Sequence, residues 1–159
     1  MCFGDGTGAA CPCGNSGWPG SGCNNAVDTG GARLNGEGVP SLGADTLQLL
    51  CTNVRPDVLC LAFQGDQRIA PVFDGDGLRC AGGNVRRLYA VQAFGRSLTV
   101  PPQGSPSLSS RSAAVGDPLA PGAQRIYQVY YRDKSPTFCP DPPGNTWNVS
   151  SGLRVDWLP

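Results

Sequence analysis

The sequence predicts an all-β fold, a disulfide-stapled antiparallel β-sandwich of jelly-roll-like type with a Gly/Cys-rich N-terminal arm. Three observations lead there. Roughly seven or eight short apolar runs are separated by turn residues, as in two-sheet proteins. No window shows helical periodicity bounded by caps. Eight cysteines stand in a chain of 159 residues that has no histidine. That length holds one ordinary domain with a sizeable core, so folding alone does not demand so many cysteines.

Residues 1–43 read as the arm. They carry Cys2, Cys11, Cys13 and Cys23 among turn-forming stretches, Gly14-Asn15-Ser16-Gly17 and Trp18-Pro19-Gly20-Ser21-Gly22. Glycine reaches positive φ, and proline fixes φ while lacking a donor. A segment of this composition needs disulfides, packing on its domain or packing on a neighbouring copy to be ordered.

Residues 44–159 read as the sandwich. In 45–52, Leu47, Leu49 and Cys51 share one face. A second apolar run, 57–64, follows a hairpin-like connection at 53–56. The run 69–73 contains Pro71 and reads as an edge. Residues 85–94 alternate loosely, and a short strand at 97–100 follows. The proline- and serine-rich stretch 101–124 reads as loop, with one thin strand near 107–113. Residues 124–132 are aromatic and β-branched, a strong strand. The chain closes with Leu153, Val155 and Trp157 inward and Arg154 and Asp156 outward.

Zinc sites want C-x-x-C pairs or histidines at ligand spacing, and neither is present. The cysteines therefore read as disulfides, which imply an oxidising compartment. Cys51 and Cys60 flank a short turn, where antiparallel pairing would bring them together. Cys80 and Cys139 are expected to tie two distant strands, leaving Cys2, Cys11, Cys13 and Cys23 to knit the arm.

Twelve basic residues balance twelve acidic ones. No basic face opposes phosphate charge, so nucleic acid is not an expected partner. No run of about 18 apolar residues offers a membrane span. The first ten residues lack the basic start and apolar stretch of a leader, so the chain reads as mature after export, extracellular or at the cell surface.

Several residues are candidates for chemistry. Asp74 and Asp76, in Asp74-Gly75-Asp76-Gly77, resemble the start of a calcium loop, but no acids follow, and the turn reading is stronger. Trp18 and Trp147 lie in turn-rich segments and are candidates for glycan stacking. Asn148-Val149-Ser150 is a glycosylation sequon at Asn148. Lys134, the lone lysine, reads as a solvated turn residue rather than a cross-linking one. Without histidine there is no imidazole base, and no nucleophile elbow or phosphate loop is present. A carboxylate pair drawn from Asp74, Asp76, Asp45 and Asp133 is the remaining catalytic arrangement. The chain reads as a non-enzyme without cofactor.

Three motifs carry a resemblance. They are Cys2-Phe3-Gly4-Asp5-Gly6 with Cys11-Pro12-Cys13-Gly14-Asn15 and Gly22-Cys23; Gly75-Asp76-Gly77-Leu78-Arg79-Cys80-Ala81-Gly82-Gly83; and Tyr127-Gln128-Val129-Tyr130-Tyr131-Arg132-Asp133 with Phe138-Cys139. In their order and spacing the chain resembles an uncharacterised family of exported Cys/Gly-rich β-sandwich modules of environmental bacteria. The resemblance implies export and the fold, with Cys51 and Cys60 as an addition to the family's six cysteines.

Two functional expectations follow. The first is a structural subunit that associates with copies of itself into a surface layer or fibre, through strand edges and the arm. The alternative is a monomeric glycan-binding or adhesive module.

Overall fold

The computed structural model describes residues 2–139 and 147–159. Strands β1 (Arg33–Glu37), β2 (Gln48–Thr52) and β7 (Ser97–Val100) form one antiparallel sheet in the order β1-β2-β7. A second sheet orders β10 (Leu153–Asp156), β8 (Gln124–Arg132), β3 (Leu59–Gly65) and β6 (Arg86–Gln92), with β9 (Trp147–Val149) also paired to β8. β9 and β10 run end to end along one edge of β8, where Arg132 opposes Trp147 and Tyr127 opposes Leu153.

The core lies between these sheets. Leu34, Leu49, Cys51, Leu98 and Val100 come from one, and Cys60, Ala62, Leu88, Tyr127, Val129, Tyr131 and Val155 from the other. The alternation in β8 and β10 explains the choice, since residues two apart share a face. Trp157 is buried, and its indole N–H donates to the Tyr127 hydroxyl at 3.1 Å. The fold is thus all-β and cross-linked, as the sequence predicts.

Strands β4 (Gln67–Asp74) and β5 (Gly77–Gly82), in the connection from β3 to β6, form a separate two-stranded ribbon. The ribbon pairing is irregular between Arg68 and Val72. Pro71, with no N–H to offer, falls inside that irregularity. The backbone N–H groups of Cys80 and Ala81 are bonded outside the ribbon. Gln128 of β8 satisfies them. Its Oε1 accepts from the N–H groups of Cys80 (2.8 Å) and Ala81 (3.0 Å). Its Nε2 donates to the carbonyls of Leu78 (3.0 Å) and Ser150 (2.9 Å). One fully buried amide thus fastens the ribbon to the outer face of β8.

The N-terminal residues fold back on their own sandwich. Disulfides join Cys2 to Cys80, Cys11 to Cys23 and Cys13 to Cys139, with Cα–Cα separations of 6.0, 5.9 and 5.3 Å. The Ser151 N–H donates to the Ala32 carbonyl and the Gly152 N–H to that of Cys2. Asn25 donates to the Tyr131 hydroxyl, and Asp133 accepts from the Ala26 N–H. Within this segment β1 is a strand, paired along its length with β2. It escapes a periodicity reading because Leu34 is its single large apolar residue.

Four expectations are corrected. Residues 45–52 and 57–64 are not a hairpin: β2 pairs β1 and β7, whereas β3 pairs β6 and β8. The chain crosses between sheets through Asn53 and Asp57, both at positive φ, a region these residues tolerate better than most. Cys51 and Cys60 are consequently not cross-linked but are buried free thiols. Cys80 pairs with Cys2 rather than Cys139, because the arm packs against the ribbon. Finally, residues near 107–113 form a short helix, α1 (Leu108–Ala114), not a thin strand. Ser107 caps it by accepting from the Ser110 N–H, while Leu108 and Ser112, four apart, face inward.

Burial raises the pKa of both free thiols, that of Cys60 to about 12. Alkylation of the unreduced protein at pH 8 is therefore expected to label no cysteine in the native state. In denaturant it should label Cys51 and Cys60 only, read by peptide mass mapping. A Cys51–Cys60 linked peptide would contradict this arrangement. A second expectation concerns Gln128→Leu. Two N–H and two carbonyl groups would lose their buried partner, at about 1–3 kcal/mol for each unsatisfied group. Partial relaxation leaves an expected loss of about 3–5 kcal/mol in urea unfolding, several times that of an exposed substitution such as Gln92→Leu.

Candidate functional site

The outer face of the second sheet is not fully covered. Leu61 opposes Tyr130 across β3 and β8, Phe63 opposes Arg87 across β3 and β6, and Arg132 opposes Trp147 across β8 and β9. These side chains share the face away from the core because their neighbours Cys60, Ala62, Val129 and Tyr131 fill the core. The β4–β5 ribbon rises beside them and contributes Asp74, Arg79 and the adjoining Gly83. Together they line a groove of about 780 Å³, the size of a site for a small or extended ligand.

The groove has an aromatic part and a charged part. The rings of Tyr130 and Trp147 lie with centroids 6.2 Å apart, tilted by 31°. The Trp147 indole N–H donates to Asp74 Oδ1 at 2.8 Å, and Arg79 Nε stands 3.3 Å from Asp74 Oδ2. Arg79 also donates to the Ala81 carbonyl at 2.7 Å. Asp74 is therefore a positioning group: it sets the indole and is itself set by Arg79. Asp76 donates its backbone N–H to the Trp147 carbonyl at 2.9 Å. Gly75, between them, has φ +61 and packs against Trp147; an added Cβ would sit 2.5 Å from indole Cδ1 and Nε1.

The Asp74–Gly77 segment thus acts as a turn that seats a tryptophan. Asp74 is committed to Arg79 and the indole, and Asp76 is buried. Among the described residues no cluster of three acids, thiols or imidazoles could hold a metal ion.

The structure separates the two tryptophans singled out for glycan contact. Trp147 is half-buried in the groove, whereas Trp18 is 61 % exposed and lies against Gly30, away from the groove lining. Asn148 is corrected as a glycosylation site. It is wholly buried, and its Nδ2, the atom a sugar would join, donates to the Asn24 carbonyl at 2.9 Å. The sequon is local, but its burial is set by the arm lying over β9. Lys134 is exposed, as a turn residue would be.

Arg79, Arg87 and Arg132 are groove residues that sequence reasoning did not select. A signal existed for one: Tyr130 and Arg132 are two apart in a strand whose other face is plainly core. The place of Arg87 depends on the β3–β6 register, which a single sequence does not carry.

No protein-family model, curated protein or solved structure matches this chain. Three disulfides point to an oxidising environment, and no described helix is long and apolar enough to cross a membrane.

Gly75→Ala tests how Trp147 is seated. The substitution places a Cβ at positive φ and against the indole, so we expect a loss of about 2 kcal/mol. A shift in tryptophan emission should accompany it, since Trp18 and Trp157 lie elsewhere. Unchanged emission would show that the turn does not set the indole.

Proposed function

We propose that the protein is an extracellular carbohydrate-binding, adhesive module and that the groove on the outer face of β3, β6 and β8 is its binding surface. One observation carries the reading: the tilted Tyr130–Trp147 pair, held by Asp74 and open to a groove of about 780 Å³. Sugar rings bind through apolar C–H faces on aromatic planes and through polar groups at their edges. The groove offers both, on rigid strands rather than loops. The bonds of residues 2–43 to their own sandwich support a self-contained unit.

Self-association into a surface layer or fibre is a second reading. Phe73 on the ribbon and Phe94 after β6 are 67 % and 82 % exposed, and would be apolar contacts in such an assembly. Strand edges at β1, β6 and β7 would be the joining surfaces.

Affinity electrophoresis of the unreduced protein through gels containing different polysaccharides tests the first reading. Retardation on at least one glycan is expected. Tyr130→Ala or Trp147→Phe should weaken it about tenfold, the loss of one good stacking contact. Trp18→Ala should leave it unchanged. Retardation lost with Trp18 and kept with both groove variants would move the site away from the groove. Filaments at low concentration, in place of particles near 16.5 kDa by light scattering, would favour the second reading.

A further inference from the structure

We infer that the ligand of this groove is a linear acidic glycan, one whose repeating units carry carboxylate or sulfate groups, with Arg87 and Arg132 as its charged contacts. The inference rests on the glycan-binding reading and narrows it.

The charge balance of the groove carries the argument. Asp74 is the one acid among the described lining residues, and Arg79 already matches it. Arg87 and Arg132 are exposed, and no described residue forms an ion pair with either. Among the described residues, therefore, the groove presents two guanidinium groups without an ion-pair partner. Such groups bind carboxylates and sulfates in bidentate fashion, with geometry a hydroxyl cannot reproduce. Three arginines outside the groove do have acidic partners: Arg125 with Asp117 at 2.5 Å, Arg55 with Asp133 at 3.5 Å and Arg154 with Asp156 at 3.2 Å.

The placement of the two arginines selects a chain over a small anion. Arg87 stands on β6 opposite Phe63; Arg132 stands on β8, two residues beyond Tyr130, which opposes Leu61. Strand rise and spacing put their Cα atoms on the order of 15 Å apart, diagonally across the groove. One carboxylate cannot engage both. On the register Leu61 of β3 lies midway, with Tyr130 beside it on β8, so an extended ligand would pass from one arginine over an apolar and aromatic stretch to the second. The neutral net charge of the whole chain makes general attraction to polyanions weak, so binding of this kind would have to come from the groove.

Isothermal titration of the unreduced protein tests the inference with three oligosaccharides of equal length: an oligogalacturonate, a chondroitin sulfate fragment and a neutral cello-oligosaccharide. At least one acidic chain is expected to bind about tenfold or more tightly than the neutral one, and less tightly as salt rises. Arg87→Ala and Arg132→Ala should each reduce that binding about tenfold. Being exposed, both variants should keep wild-type unfolding midpoints. Galacturonate against chondroitin sulfate tells carboxylate from sulfate recognition. Tight binding of the neutral chain, insensitive to both arginine variants, would overturn the acidic specificity and leave the glycan reading standing. Binding of acidic chains that survives both arginine variants would also overturn the assignment. No binding to any of the three, or to any polysaccharide in the electrophoretic screen, would overturn both.

Discussion

Gln128 joins two layers that strand pairing does not join. Among the described strands β4 and β5 pair only with each other, and the consecutive amide groups of Cys80 and Ala81 turn to Gln128 of β8. A side-chain amide has the two donors and two acceptor sites needed to act as a short piece of strand. All of that capacity is used here, inside a dry region where an unmade hydrogen bond is expensive. The ribbon then carries Asp74 and Arg79 to the rim of the groove, and the turn at its tip seats Trp147. The proposed site therefore depends on a residue that does not line it.

The arm contributes in the same region. It supplies Cys2 to the ribbon at Cys80 and Cys13 to Cys139, so covalent links bracket β5 and the segment following β8. Closing loops of 78 and 126 residues restricts the unfolded chain strongly, by about 4 kcal/mol or more each on a chain-entropy account. The arm's backbone is thereby ordered although it has little apolar surface of its own. Its Asn25 and Thr29 meet the end of the sandwich through hydrogen bonds to Asn53 and Tyr131.

Strands with one clean face could be read from the sequence. β2 and β10 alternate well enough for Leu49, Cys51, Val155 and Trp157 to be placed on one face without coordinates, and β8 reads as a strand from its aromatic and β-branched composition. β1, β5 and β9 could not, because Arg33–Glu37 has one large apolar residue, Gly77–Gly82 is mostly small, and Trp147–Val149 is too short. α1 spans two turns, below the length at which periodicity is visible. Of the groove, Trp147 and Asp74 could be picked out as residue types in turn-rich segments. That Asp74 holds Trp147 could not, since 73 positions separate them. Cysteine pairing failed for a similar reason: nearness in sequence suggested Cys51 with Cys60, but the chain changes sheets between them.

The two free thiols bear on the order of events during synthesis. Cys2 and Cys13 emerge first, and Cys51 and Cys60 follow before either true partner, Cys80 or Cys139, exists. Only Cys11 and Cys23, 12 positions apart, can find each other early. Cys51 and Cys60 leave the pool of competing thiols once the sandwich buries them, and that burial requires β8 and the strands beside it, from the last third of the chain. Oxidation that outruns closure of the sandwich would tether the arm to core cysteines. Burial of Cys51 and Cys60 before Cys2 and Cys13 are oxidised would therefore protect the native pairing.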